Sequence, residues 1–179
     1  MRVWLASASP RRRDLLTWAG IEVVGHPSPV DEQWIDGEDP AAAAERLARE
    51  KAIGPADELV LAADTVVHVD GTPLGKPVDA ADAVRMLQML SRRWHQVTTG
   101  VAMVRGGILG SFRVTTDVRF RELGDREIRR YVATGEPMDK AGAYGIQGQG
   151  GVLVDEVRGS WTNVMGLPVA ETLAALESP

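Results

Sequence analysis

Residues 95–123, "HQVTTGVAMVRGGILGSFRVTTDVRFREL", constrain the fold of this chain more than any other stretch. The segment is rich in valine and threonine, which fit a pleated surface, and it is punctuated at Gly106-Gly107. That pattern predicts one long β-hairpin. Short strands and helices are mixed on both sides of it. Residues 2–6 read as a buried strand. Ser9 reads as the N-cap and Pro10 as the first residue of a helix that turns Leu15, Leu16 and Trp18 inward and ends at Gly20. "IEVVGHP" is a second short strand, and Asp39-Pro40 opens an alanine-rich helix that ends at Gly54 and carries Arg49 and Lys51 in its last turn. "ELVLAADTVVHVDGTPLGKP" reads as two strands broken at residues 63–65, the second leading into an Asp70-Gly71 turn. Val84, Leu87 and Leu90 sit at helical spacing, and "GDREIRRYVATGEP" is a helix ended at Gly135. A strand is expected over residues 151–157, and "GLPVAETLAALE" is a closing helix. With no internal repeat or low-complexity linker, the expectation is one α/β domain over 1–179: a mixed, twisted sheet with flanking helices and a cleft.

Composition narrows the function. The hydrophobic content of 44% supports a packed core, and a net charge of −5 argues against a nucleic-acid binder, which needs a basic face. Any anion held here is small and held locally. The absence of cysteine excludes disulfides, thiolate metal sites and a cysteine nucleophile, and it suits a reducing cytoplasm. The opening "MRVWLASASP" has too short an apolar run for a signal peptide, and no stretch approaches a membrane span. The expectation is a soluble, cytoplasmic, unprocessed protein without a membrane partner.

Against that acidic balance, "LASASPRRRDLL" places three arginines at the start of a helix, where positive charge is mildly unfavourable. Side chains step by about 100° per residue, so Arg11, Arg12 and Arg13 fan out and at most two face one cleft; the third is solvated. Backbone N–H groups, the Ser7 and Ser9 hydroxyls and a guanidinium together would clamp a polyphosphate. Asp64 interrupts an apolar run, where a carboxylate calls for a metal or a cation, although aspartate is also a common turn former. Glu32 is a second acid, on a loop. "GTPLGKP" is one residue short of a P-loop and has Pro77 where that motif has a hydroxyl, yet Lys76 is held in a rigid corner. "GIQGQGG" leads into a strand and so fails as a dinucleotide fingerprint. Its glycines let the backbone approach a flat ligand, and Gln147 there offers the donor and acceptor that a uracil or thymine edge needs. His26, His68 and His95 are at no ligand spacing and receive no role, with His68 facing outward on its strand. Together these are the parts of a metal-assisted site for a nucleoside triphosphate.

In order along the chain, "LASASPRRRDLL", Asp31-Glu32, "RLAREKA", "AADTVV", "LGKP", "HQVTTGVA", "DKAGAYGIQGQGG" and "GSWTNVMGLPV" resemble the Maf family of nucleoside triphosphate pyrophosphatases over essentially its whole length. "ADTVV" with "DKAGAYGIQG" is similar to the branch acting on dTTP and UTP. The resemblance implies cleavage between the α and β phosphates with a divalent metal, Mg²⁺ or Mn²⁺, and an elongated two-lobed Maf/ITPase-like fold around a central cleft, often as a homodimer. It places the catalytic acid on Asp64, substrate selection on Arg11, Thr65 and Gln147, and other polar cleft positions on Ser7, Arg12, Glu32, Lys51 and Lys76, with the metal held partly by Asp64 and Glu32. Arg13 has no counterpart. Trp161 stands where a tyrosine is more usual. Two other readings remain at this stage: a nucleotide-binding regulator of septum formation, and an enzyme releasing orthophosphate from another metabolite.

Overall fold

The computed structural model describes residues 1–31 and 33–177. β1 (Arg2–Leu5) leads through a loop into α1 (Pro10–Trp18) and then β2 (Glu22–Val24). α2 (Pro40–Lys51) precedes β3 (Val60–Val69), which turns back into the short β4 (Thr72–Leu74). α3 (Ala80–Leu90) is followed by the hairpin of β5 (Trp94–Arg105) and β6 (Ile108–Phe120), joined by Gly106-Gly107 as expected. α4 (Asp125–Val132), three 3₁₀ turns, β7 (Val154–Arg158), α5 (Trp161–Met165) and α6 (Val169–Glu177) complete the chain.

The strands form one sheet of order β2-β1-β3-β5-β6-β7, with β4 also on β3. β1 is parallel to β2 and β3, and the remaining pairs are antiparallel. Leu61, Ala63, Val67 and Val69 of β3 enter the main core with Leu15 and Leu16 of α1 and Met86, Leu87 and Leu90 of α3. Val60 and Ala62, on the alternate face, form a smaller cluster with Ala6. The helices begin where their caps predict: Asp39 accepts from Ala42 N–H at 2.9 Å and Asp79 from Asp82 N–H at 2.8 Å. Ser9 holds the N-cap position of α1 by backbone conformation, without a side-chain cap bond. Among the described residues, no helix is long and apolar enough to cross a membrane.

Three expectations need correcting. β3 is not broken at residues 63–65; its ladder with β5 is continuous from Val60↔Val104 to His68↔Gln96. Trp18 does not point inward but is 69% exposed, because the two buried positions of α1 are Leu15 and Leu16. The final strand begins at Val154, preceded by a 3₁₀ turn over Gln149–Leu153.

The continuity of β3 through an aspartate has a packing cause. Asp64 shares the Val60/Ala62 face, on which α2 lies with Ala43, Ala44, Leu47, Ala48 and Lys51 buried. Directly opposite Asp64 on β5 is Gly100. A Cβ there would meet the Ala44 carbonyl oxygen at 2.2 Å, so helix and sheet touch backbone to backbone. Lys51 is the last residue on the buried stripe of α2, and this close approach aims it at Asp64.

Candidate active site

β1 pairs with β3 only as far as Leu5↔Leu61, and β4 pairs only from Val67 onward. Between these points that edge of β3 has no strand partner among the described residues. After Ala6, whose N–H still donates to the Leu61 carbonyl at 2.8 Å, the chain swings away into α1. A cleft of about 300 Å³ opens in the resulting gap. Its position beyond the carboxyl end of a parallel strand is where open α/β sheets place ligands.

Ser7, Arg11, Arg12, Lys51, Asp64, Thr65, Lys76 and Gln147 all line this cleft. The eight candidates from separate parts of the sequence therefore meet. Glu32, the other metal candidate, lies outside the described residues.

Asp64 and Lys51 form a buried ion pair, their side chains 9% and 10% exposed. The Lys51 ammonium compensates the cost of burying this carboxylate. Arg12 is a hub. Its Nε donates to the Gly166 carbonyl at 2.8 Å, Nη1 to Ser7 Oγ at 2.9 Å and Nη2 to Thr65 Oγ1 at 3.1 Å. It thereby ties α1, β3 and the end of α5 together. Arg11 faces the opposite wall, with Nη1 3.4 Å from Asp139 Oδ2. Arg13 points away, as the fan of three arginines requires, and is engaged: Nη1 donates to the Val23 carbonyl of β2 at 2.8 Å. Lys76 and Gln147 are exposed, and neither side chain has a hydrogen-bond partner among the described residues.

Several contributors are not evident from the sequence. Glu136 is the buckle of the glycine-rich loop: Oε1 accepts from Tyr131 Oη and Gly150 N–H, both at 2.9 Å, and Oε2 accepts from Gln149 N–H at 2.9 Å. Tyr131 Oη in turn accepts from Gly145 N–H at 3.2 Å. A Cβ at Gly148 would lie 2.6 Å from the Glu136 carboxylate, so the loop closes around it only with glycine there. Burial works against charge on Glu136, but the Gly150 and Gln149 N–H groups, the Tyr131 hydroxyl and Lys140 outweigh it and hold the carboxyl below its ordinary range. These bonds also bend residues 149–153 into the 3₁₀ turn that delays β7. The one sequence signal was the placement of a glutamate just before a proline and a glycine-rich run. Lys140 adds another cation to the cleft wall, its Nζ donating to the Glu136 carbonyl at 2.7 Å and to Asp139 Oδ1 at 2.5 Å.

Behind Thr65 is a buried polar chain. Thr65 Oγ1 is 2.9 Å from Thr99 Oγ1, which donates to the Asn163 carbonyl at 3.2 Å. The Asn163 amide donates to the Val97 carbonyl at 2.9 Å and to Thr116 Oγ1 at 3.0 Å. His95, unassigned from the sequence, is fully buried between Phe120 and Tyr144, with Nε2 2.9 Å from Tyr144 Oη. Burial depresses its pKa to about 3, so it is neutral and structural. His68 is half-buried, not outward, and contacts Thr98 Oγ1 at 3.2 Å.

The lining sets Arg11, Arg12, Lys51, Lys76 and Lys140 against Asp64 and Asp139. A net-acidic protein thus concentrates positive charge at one hollow, which suits a compact polyanion. Among the described residues, no group of three or more His, Asp or Glu could form a metal cage by itself. The Asp64 carboxylate at the cleft wall nevertheless suits a cation that arrives with substrate phosphates and keeps its waters.

Known proteins share this fold and much of this sequence. The fold is similar to that of a HAM1 protein from Coxiella burnetii, at a TM-score of 0.51 and 15% identity over 98% of both chains. A dTTP/UTP pyrophosphatase from Anaeromyxobacter dehalogenans is 53% identical, covering 98% of this chain and 92% of that protein. One from Chromobacterium violaceum is 50% identical over 98% and 93%, and one from Geobacter metallireducens 50% identical over 99% and 95%. The model of the family described as Maf-like protein matches residues 2–178. With that match running almost from end to end, this chain belongs to the Maf family.

Proposed function

We propose that this protein hydrolyses nucleoside triphosphates, dTTP and UTP among them, to the nucleoside monophosphate and pyrophosphate. The observation that carries this reading is the buried Asp64–Lys51 pair at the wall of a cleft that also gathers Arg11, Arg12, Lys76 and Lys140, in a chain about half identical to dTTP/UTP pyrophosphatases.

The chemistry follows from the groups present. Asp64, held in place by Lys51, accepts a proton from a water whose oxygen attacks the α-phosphorus. The bond from that phosphorus to the α–β bridging oxygen breaks, and the electron pair leaves with pyrophosphate. Lys76, which has no side-chain partner among the described residues, meets the departing phosphates; Lys51 steadies the base. Arg12 acts mainly by position, since three of its nitrogens already hold Ser7, Thr65 and Gly166. Arg11, Thr65 and Gln147 face the nucleoside. A divalent cation, Mg²⁺ or Mn²⁺, would be held by Asp64 and Glu32 and would supply neutralising charge at the phosphate oxygens when bound.

The test is incubation of the purified protein with Mg²⁺ and UTP or dTTP, with identification of the released ion. Pyrophosphate is expected. Binding without turnover, or release of orthophosphate, would overturn the proposal. Asp64→Asn should fall in kcat by on the order of a hundredfold or more, the usual worth of a positioned base.

A further inference from the structure

The hydrogen-bond chain behind the cleft has a direction, and that direction limits what Thr65 can recognise. At one end is the Arg12 guanidinium, which can only donate; at the other is the Asn163 carbonyl, which can only accept. Between them are two hydroxyls, each with a single hydrogen. Thr99 sends its hydrogen to Asn163 at 3.2 Å. Thr65 therefore sends its own to Thr99 at 2.9 Å, while receiving from Arg12 at 3.1 Å. The other internal acceptor within reach of Thr65 is the Gly166 carbonyl at 3.4 Å, which already accepts from Arg12 Nε at 2.8 Å. Being nearer and not already engaged by Arg12, the Thr99 oxygen takes the Thr65 hydrogen, which is thus spent inside the protein. What remains for the cleft is a lone pair.

We infer that Thr99, a fully buried residue that does not line the cleft, fixes the polarity of Thr65 and so makes this wall select a hydrogen-bond donor on the nucleoside. The inference rests on the proposed nucleotide hydrolysis and deepens it. Two donors are common to UTP and dTTP: the 3′-hydroxyl of the sugar and the N3–H of the base. Phosphate oxygens offer none at neutral pH. A substrate presenting an acceptor at the same place would set two lone pairs face to face. To relieve that, Thr65 would have to withdraw its hydrogen from Thr99. Thr99 is thus a positioning residue, acting on specificity through Thr65.

The experiment measures two kcat/KM ratios with Mg²⁺. UTP against CTP replaces the N3–H by an acceptor; dTTP against 3′-fluoro-3′-deoxythymidine triphosphate replaces the sugar hydroxyl by one. The wild-type protein should discriminate by about tenfold or more on one arm, the worth of one misdirected hydrogen bond. That arm names the group read. Thr99→Val, which frees the Thr65 hydrogen at nearly constant volume, should narrow the same ratio to within about threefold, whereas Thr99→Ser should keep it near the wild-type value. Because a ratio does not depend on the fraction of folded enzyme, a general loss of stability would not move it. Should Thr99→Val fail to fold, Thr99→Ala removes the same hydroxyl. Wild-type indifference on both arms, or an unchanged ratio in the hydroxyl-less variant, would overturn the inference while hydrolysis of UTP itself stood. No turnover of UTP or dTTP would overturn the function it rests on.

Discussion

Replacing Gly100 by alanine tests the backbone contact that aims Lys51 at Asp64. The added Cβ would lie 2.2 Å from the Ala44 carbonyl oxygen, 2.4 Å from its carbon and 2.5 Å from Glu45 Cα. All three are backbone atoms of α2, so no side chain can rotate away, and the contact falls about 1 Å short of ordinary approach. The helix must lift off the sheet by roughly that distance. A gap of that size forfeits a quarter to a half of each dispersion contact beneath Ala43, Ala44, Leu47 and Ala48. The expected cost is about 3 kcal/mol, at the upper end of overpacking penalties. For a chain of this length that corresponds to a fall in Tm of roughly 6–12 °C. Lys51, the last residue of the lifted helix, moves with it, and kcat/KM on UTP should fall on the order of ten- to a hundredfold, as for misplaced catalytic groups generally. Thermal unfolding by circular dichroism reads the first effect and pyrophosphate release the second. The control is Gly110→Ala on β6, where a Cβ meets nothing within 4 Å; its Tm should stay within about 2 °C of the parent. A Gly100→Ala protein melting as the parent does would refute the close-approach argument.

Two further outcomes follow from the geometry. Glu136→Gln replaces an acceptor-only group with one carrying an N–H₂ that faces N–H donors, so the loop bearing Gln147 should loosen; KM for UTP should rise by about tenfold with kcat less affected, in steady-state kinetics. Stability should decline on acidification. His95 is neutral in the fold down to a pKa of about 3 but takes a proton near 6.5 when unfolded, so the unfolded state binds more protons throughout that window. Its contribution is absent above the unfolded pKa and grows as pH falls, by up to about 1.4 kcal/mol per pH unit. Chemical denaturation of the wild type and His95→Gln at pH 7, 6 and 5 should show the flatter profile in the variant; parallel profiles would remove His95 as the cause.

What the sequence disclosed depended on whether the cause was local. The hairpin about Gly106-Gly107 and the starts of α2 and α3 follow from turn chemistry and caps spanning a few residues, and each appears where expected. The cleft's cations and Asp64 were recognisable because charge in an apolar or helix-initial setting demands a partner. The break assigned to β3 was wrong because Asp64 finds that partner thirteen residues earlier on α2, across a glycine contact that no local window contains. Glu136 gave little sign, since its bonds go to backbone N–H groups that every residue carries. His95 and Asn163 were silent for a related reason: polar residues buried deep in a core look, in sequence, like polar residues on a strand or turn. Trp18 failed in the opposite sense, a large apolar side chain left in solvent because two leucines already fill the buried side of a short helix.

The interrupted flank of β3 also bears on edge-to-edge pairing between polypeptides. A bare strand edge in the middle of a sheet would ordinarily template pairing with another polypeptide. Here the bare portion is bounded by β1 at one end and β4 at the other, and a carboxylate stands within it. Between Leu61 and Val67 the slot is closed at both ends by paired strands, and the cleft there has a volume of about 300 Å³. Where two neighbouring strands stop thus sets how much of this edge another polypeptide can reach.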